Sequence, residues 1–131
     1  PFLQCSLESF SIIPVVVGDA APEEVALVQA ALWGGSETLM LISSDLSHYL
    51  PYAEASRLDR FTSEAIESLS PEHIGADQAC GRIPMQGLLL EAGKRGLRAI
   101  TLDQRNSGDT SGDRQQVVGY GAYAFFEERA A

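Results

Sequence analysis

The segment SSDLSHY, residues 43–49, contains the side chains of this sequence that are best suited to chemistry. Asp45 and His48 are spaced so that one helical turn would bring both to the same face. A carboxylate beside an imidazole can orient the ring, raise its basicity or share a metal ion with it. The alternative interpretation is structural: Ser44 or Asp45 caps a helical turn, and His48 donates to a backbone carbonyl. Spacing alone leaves both interpretations open.

A second candidate is the segment ACGRIP, residues 79–84. Cys80 precedes a predicted helix and lies near Arg82, and both features favour a thiolate, which is a nucleophile and a soft metal ligand. Gly81 would allow another stretch of backbone to approach closely. The alternative is that Cys80 is a small buried hydrophobic residue.

The polar loop RNSGDTSGD, residues 105–113, is a third candidate. Asp109 and Asp113 could bind a cation, but their spacing differs from that of an EF-hand and the closing glutamate is missing. We therefore expect the loop to form a flexible rim or lid.

A serine hydrolase is a further alternative, built from Ser44, His48 and Asp103. No G-x-S-x-G turn surrounds the serine, which argues against it. Cys5 is expected to serve ordinary helix packing, and His73 is expected to be solvated.

Composition narrows the class of protein. The 131 residues suit one α/β domain, residues 1–131, and 45% hydrophobic with 21% charged residues is ordinary for a globular chain. The formal net charge of -9 disfavours nucleic-acid binding, and no apolar run is long enough to span a membrane. The two distant cysteines, Cys5 and Cys80, suggest a reducing, cytoplasmic setting. The chain begins at Pro1, which we interpret as a sign that it is part of a longer chain.

The elements that must position these residues alternate between strand and helix. Continuous apolar runs at 11–18 and 38–43 predict strands covered on both faces, as in a parallel sheet. Helical signals predict helices that start at Pro22 and Ser70 and helices over 52–69 and 83–95, and further strands are predicted at 97–103 and 116–126. The pattern is typical of an α/β fold with a mostly parallel or mixed sheet flanked by helices. Asp45 and His48 would follow a strand end, where such folds bind ligands.

Three motifs in this order, SSD-x-x-H, CGR-x-P and the closing VVGYGAYAFF, resemble the Memo family, also called AmmeMemoRadiSam system protein B. The resemblance covers essentially all 131 residues and matches the carboxyl-terminal half of a Memo-like chain. It implies half of an α/β sandwich similar in fold to extradiol-type non-haem iron dioxygenases.

The resemblance also implies a pocket for iron or copper and a redox or dioxygenase-like role in the intact protein. Cys80 matches the direct ligand, His48 is a second candidate ligand, and Asp45 matches a pocket group, so these three are the candidate catalytic residues. Other positions that match the pocket motifs are Ser44, Gly81 and Arg82. The alternative function is a non-catalytic module that binds a peptide or a small ligand.

In the family, two pocket histidines come from the amino-terminal half, and this chain contains no counterpart of them. We therefore expect the chain alone to be inactive and to hold no metal tightly, because one or two ligands do not retain an ion against water. The expected partners are the missing half or another copy of the chain, and neither nucleic acid nor a membrane is expected.

Overall fold

The computed structural model describes residues 2–110 and 112–127. Helices and strands are both present, so the α/β class is confirmed. In chain order the elements are helix α1 (Phe2–Ser6), helix α2 (Pro22–Leu32), strand β1 (His48–Leu50), helix α3 (Tyr52–Glu67), a 3₁₀ turn (Pro71–His73), helix α4 (Arg82–Arg95), strand β2 (Leu97–Asn106), a second 3₁₀ turn (Ser107–Asp109) and strand β3 (Val117–Glu127).

The three strands form a sheet with the order β1-β3-β2, and both pairs are antiparallel. The β2–β3 register runs from Leu97 opposite Glu127 to Asn106 opposite Gly119. The sequence predicted a mostly parallel or mixed sheet, and the described pairs differ from it. The reason is the connection: β2 and β3 are joined by only the residues between 106 and 117, whereas a parallel pair needs a longer crossover.

The strands predicted at 11–18 and 38–43 are not formed. Within the described residues, 11–18 and 39–43 make no backbone–backbone hydrogen bond. Most of their large side chains are exposed, with Ile13, Val16 and Leu39 at 76%, 97% and 74%, whereas Ile42 packs against the core. Apolar runs become strands only when neighbouring strands satisfy their N–H and C=O groups, and these two runs have no such neighbour here.

The helix predictions hold with one exception: the helix predicted to start at Ser70 is only the three-residue 3₁₀ turn Pro71–His73, because the backbone is already extended at Ile74. Helix α3 buries Thr62, Ala65 and Ile66, as its 3.6-residue period predicted. Helix α4 buries its predicted apolar face and ends at Gly96, whose positive φ of 65° suits the left-handed conformation of a helix end. The core lies between these helices and the sheet and consists of Ala65, Ile66, Ile74, Ala79, Met85, Leu89 and Ala99.

Helix α2 begins with Pro22 at its first turn, as predicted, and Glu24 accepts a hydrogen bond from the Ala21 N–H at 3.0 Å. It packs against α4, where the Gln29 side chain donates to the Pro84 carbonyl at 3.0 Å. None of the helices in the described ranges is long and apolar enough to cross a bilayer.

Candidate metal centre

The structure brings Asp45, His48 and Cys80 together. One potential ligand atom from each lies within 4.8 Å of the other two. The His48 Nε2 and Asp45 Oδ2 atoms are 3.7 Å apart, and both side chains are partly exposed. A cavity of about 600 Å³ opens beside them, and its lining includes His48, Leu50, Leu58 and Cys80. The group is therefore accessible to an ion or a small molecule.

Two reciprocal hydrogen bonds hold the segment containing Asp45 against the turn containing Cys80. The Asp45 N–H donates to the Cys80 sulfur at 3.2 Å, and the Cys80 N–H donates to the Asp45 carbonyl at 3.3 Å. A backbone N–H group that donates to sulfur restricts the position of the sulfur atom. The backbone thus sets the distance between the sulfur and the acidic segment.

Ser44 and Gly81 fit together behind this contact. The Ser44 hydroxyl accepts a hydrogen bond from the Gly81 N–H at 2.8 Å and donates to the Asp45 carbonyl at 2.7 Å. A Cβ atom on Gly81 would lie 2.8 Å from the Ser44 Cβ, which is closer than such atoms approach. The close backbone approach predicted for Gly81 is thus present. Arg82 is the first residue of α4 and is partly buried.

A different set of contacts positions His48 at the start of β1. The Leu46 N–H donates to the Gly119 carbonyl and the Gly119 N–H donates to the Ser47 carbonyl, each at 2.8 Å. His48 then pairs with Val118, and the register shifts before Leu50. Tyr49, at the shift, has a positive φ of 59°. No periodic pattern marks this strand in the sequence, because three residues are too few to display a period.

Asp59 is a buried residue that the sequence analysis missed. It lies on α3, is 1% exposed, and accepts a hydrogen bond from the Ser47 N–H at 3.0 Å. Burial is the main cause that raises the pKa of its carboxyl group, and the Ser47 hydrogen bond opposes the rise. Its signal was available: Asp59 falls on the same helix face as Ala55, Thr62 and Ile66.

The proposed serine hydrolase is not assembled. The Ser44 hydroxyl is used by Gly81 and Asp45, as described above, and the Asp103 carboxylate lies 2.6 Å from Arg105. Among the residues that the structure describes, neither Ser44 nor Asp103 forms a hydrogen bond or an ion pair with His48.

The loop predicted at 105–113 begins later than expected, because Arg105 and Asn106 belong to β2, and its two acids have structural contacts. Asp109 accepts hydrogen bonds from the Tyr52 hydroxyl at 2.7 Å and from the Asn106 N–H at 2.9 Å. The Asn106 N–H, followed by the Tyr52 hydroxyl, lowers the pKa of the Asp109 carboxyl group. Asp113 accepts from the Gln115 N–H at 2.9 Å. These bonds give the two acids a role in the fold of the loop.

His73 is exposed, as predicted, and its ring lies beside Phe61. Cys5 is also exposed, and α1 buries none of its residues. The expectation that Cys5 serves helix packing is therefore wrong in the described structure. Five residues are too few to bury a stable face without a neighbouring element.

The donor set fits a transition metal. A thiolate sulfur, an imidazole nitrogen and a carboxylate oxygen together suit iron, copper or zinc, whereas magnesium prefers oxygen ligands alone. The side chains that could provide these atoms are Cys80, His48 and Asp45.

Comparisons with known proteins agree with the motifs. A family model described as "Memo-like protein" matches residues 1–124. Proteins described as "MEMO1 family protein" from Ignicoccus hospitalis and Archaeoglobus fulgidus are each 36% identical over 95% of this chain, which covers 48% and 52% of their lengths. A relative with the same description from Aquifex aeolicus is 36% identical over 92% of the chain and 49% of its own length. The chain spans about half the length of the curated relatives it matches. It belongs to the Memo-like family.

Proposed function

We propose that this chain provides part of a metal pocket in which Cys80 and His48 bind iron or copper and Asp45 lies beside them. The observation that carries the proposal is the convergence of the three ligand atoms within 4.8 Å. In the intact protein, the bound ion supplies redox or dioxygenase-like chemistry. The residues of the chain bind the ion, orient it and hold the acidic group next to the imidazole.

The remaining ligands come, in this proposal, from the part of the family length that the chain does not span. We propose that this part attaches through the exposed apolar side chains of residues 11–18 and 39–41, such as Ile13, Val16 and Leu39, whose segments make no backbone–backbone hydrogen bond in the described structure. Chain length supports this partner, because the relatives are about twice as long. Both cysteines are free thiols, which supports a reducing, cytoplasmic setting.

The test is the metal content of the intact protein and of two variants. We expect Cys80→Ser to lose bound iron or copper, because a hydroxyl replaces the soft thiolate ligand. Cys5→Ser is the matched control, since Cys5 is the other exposed thiol, and it should keep the metal. Equal metal content by elemental analysis in the wild type and in Cys80→Ser would contradict the proposal.

A groove beside Asp45, His48 and Cys80 favours a second candidate function, in which the chain is a non-catalytic module that binds a peptide or a small ligand. Leu50 and Leu58 line both the cavity next to His48 and a neighbouring cavity that extends to Phe61. Glu54 and Arg57 add charges to the lining of the second cavity. Ligand binding that survives both metal removal and Cys80→Ser would favour this function over the metal pocket.

A further inference from the structure

The buried carboxylate of Asp59 requires an explanation. It is 1% exposed, and within residues 2–110 and 112–127 no lysine, arginine or histidine lies within ion-pair distance of it. Burying an acid without a cation is unfavourable, and a leucine or an alanine on this helix face would avoid the loss. Burial also raises the pKa of the group, as expected when water is removed.

The residues that Asp59 contacts adjoin His48 of the candidate metal centre. Its Oδ1 atom accepts the N–H of Ser47, the residue directly before His48. Its Oδ2 atom lies against Gly119 so closely that a Cβ at position 119 would overlap it. Gly119 in turn forms backbone hydrogen bonds with Leu46 and Ser47. One carboxylate therefore contacts the two backbone segments that fix the path of the chain into His48.

The strand that bears His48 is too short to fix this path by itself. It has three residues and an irregular register, and Tyr49 has positive φ. Ladder hydrogen bonds of so short a strand constrain a side chain weakly. The Ser47 N–H bond to α3 adds a further anchor for the segment before His48.

We propose that Asp59 is a positioning residue for the candidate metal centre. By holding the Ser47 N–H against α3, it keeps the His48 imidazole facing the Cys80 sulfur. This inference rests on the proposed function, because a positioning role requires that the centre bind a metal ion. Residues that orient metal ligands in this way typically change metal affinity about 10- to 100-fold when they are replaced.

The experiment is a Co²⁺ titration of the intact protein, followed by the thiolate-to-cobalt charge-transfer absorbance. We expect Asp59→Ala to weaken Co²⁺ binding by at least about 10-fold. Asp59→Asn keeps an oxygen that can accept the Ser47 N–H, so it should bind within about 3-fold of the wild type. Gly119→Ala displaces the carboxylate while leaving it in the sequence, and it should weaken binding as Asp59→Ala does.

Ser63→Ala is the matched control for loss of stability. The Ser63 hydroxyl is also buried on α3, where it contacts the Asp59 carbonyl, Gln104 and Tyr123 rather than the segment before His48. Its removal should lower the melting temperature and leave Co²⁺ affinity and the charge-transfer band unchanged. A merely structural Asp59 would behave in the same way as this control.

Three results would overturn the positioning role: wild-type Co²⁺ affinity in Asp59→Ala, equal losses in Asp59→Asn and Asp59→Ala, or unchanged affinity in Gly119→Ala if Asp59→Ala does not fold.

The wild-type protein distinguishes failure of the positioning role from failure of the proposed function. If the wild type binds no Co²⁺, the metal pocket is wrong. Amide hydrogen exchange of residues 45–48, measured without metal, then tests whether Asp59 holds this segment. We expect faster exchange in Asp59→Ala than in the wild type. Equal exchange rates would refute the positioning role.

Discussion

Single atoms decide the geometry of the candidate metal centre. The Cys80 sulfur and the Asp45 segment are joined through backbone N–H groups, and the Ser44 hydroxyl closes the gap to Gly81. The polar segment containing Asp45 and His48 was recognisable from its residue types. Its contact with Cys80 was not recognisable from spacing, because 35 residues separate Asp45 from Cys80 and only the fold, or the family motifs, brings them together.

Adding one methyl group at Gly81 should disturb this contact. We expect Gly81→Ala to lower the free energy of unfolding by about 1–3 kcal/mol, because the new Cβ would overlap Ser44. Gly93→Ala is the control: Gly93 lies in α4 with open space around it, and the alanine should stabilise the helix by about 0.5–1 kcal/mol. Urea unfolding measures both changes. An equal gain in the two variants would refute the close contact.

The pKa of Asp109 predicts a pH dependence. Its carboxyl group has a pKa below the ordinary value of 3.8, because it accepts hydrogen bonds from the Asn106 N–H and the Tyr52 hydroxyl. A lowered folded-state pKa contributes stability above the unfolded-state pKa, and that contribution is lost as the pH falls through the folded-state value. We expect Asp109→Asn to be less stable than the wild type at pH 6 and the difference to shrink below pH 3.8. Unfolding curves between pH 2 and pH 6 measure this; a constant difference would contradict it.

Elements with internal periodicity were predicted and elements that depend on distant partners were not. Helices α3 and α4 reveal themselves through a buried face that repeats within their own residues. Strand β3 was predicted because it is long and largely apolar, and the first part of β2 because its apolar residues are Leu97, Ala99, Ile100 and Leu102. The runs 11–18 and 39–43 have the composition of strands but no partner in the described structure, and β1 exists only because β3 lies beside it. Composition cannot report whether a partner is present.

The backbone of β1 can be tested at Tyr49. A non-glycine residue at positive φ costs roughly 1–2 kcal/mol, so Tyr49→Gly should leave stability unchanged or raise it slightly. Tyr120→Gly is the matched control. Tyr120 is an exposed tyrosine in β3 without positive φ, where glycine should destabilise the strand. Equal losses of unfolding free energy in both variants would argue against strain at Tyr49.

At the scale of the whole molecule, a buried core cluster packs around α3 and α4, whereas residues 11–18 and 39–41 carry large apolar side chains that are exposed. Large exposed apolar areas mark contact surfaces in soluble proteins. The chain spans about half the length of its relatives, so about half of the family length lies outside these 131 residues. The family was identifiable from the sequence because its motifs are local. Whether these apolar side chains are buried or exposed could be learned only from the structure.

The exposed apolar side chains of residues 11–18 and 39–41 should make the 131-residue chain associate with itself. We expect concentration-dependent growth in size by light scattering and strong binding of a hydrophobic dye. Val16→Lys should reduce both, because Val16, at 97%, is the most exposed of the large hydrophobic residues in these segments. Leu102→Lys is the control, since Leu102 is an exposed apolar residue on β2, outside these two segments. It should change neither the growth in size nor the dye binding. A monomeric wild type that binds no dye would contradict the expectation.

The exposure of Cys80 to solvent has a consequence for the lifetime of the protein. A sulfur that water can reach is also reached by peroxide, and oxidation beyond the sulfenic acid is not reversed by thiols. Under the proposed function, a bound ion occupies the sulfur electrons that an oxidant attacks. Metal supply and oxidative damage then compete for the same atom, and a cell short of metal would lose the pocket permanently rather than temporarily.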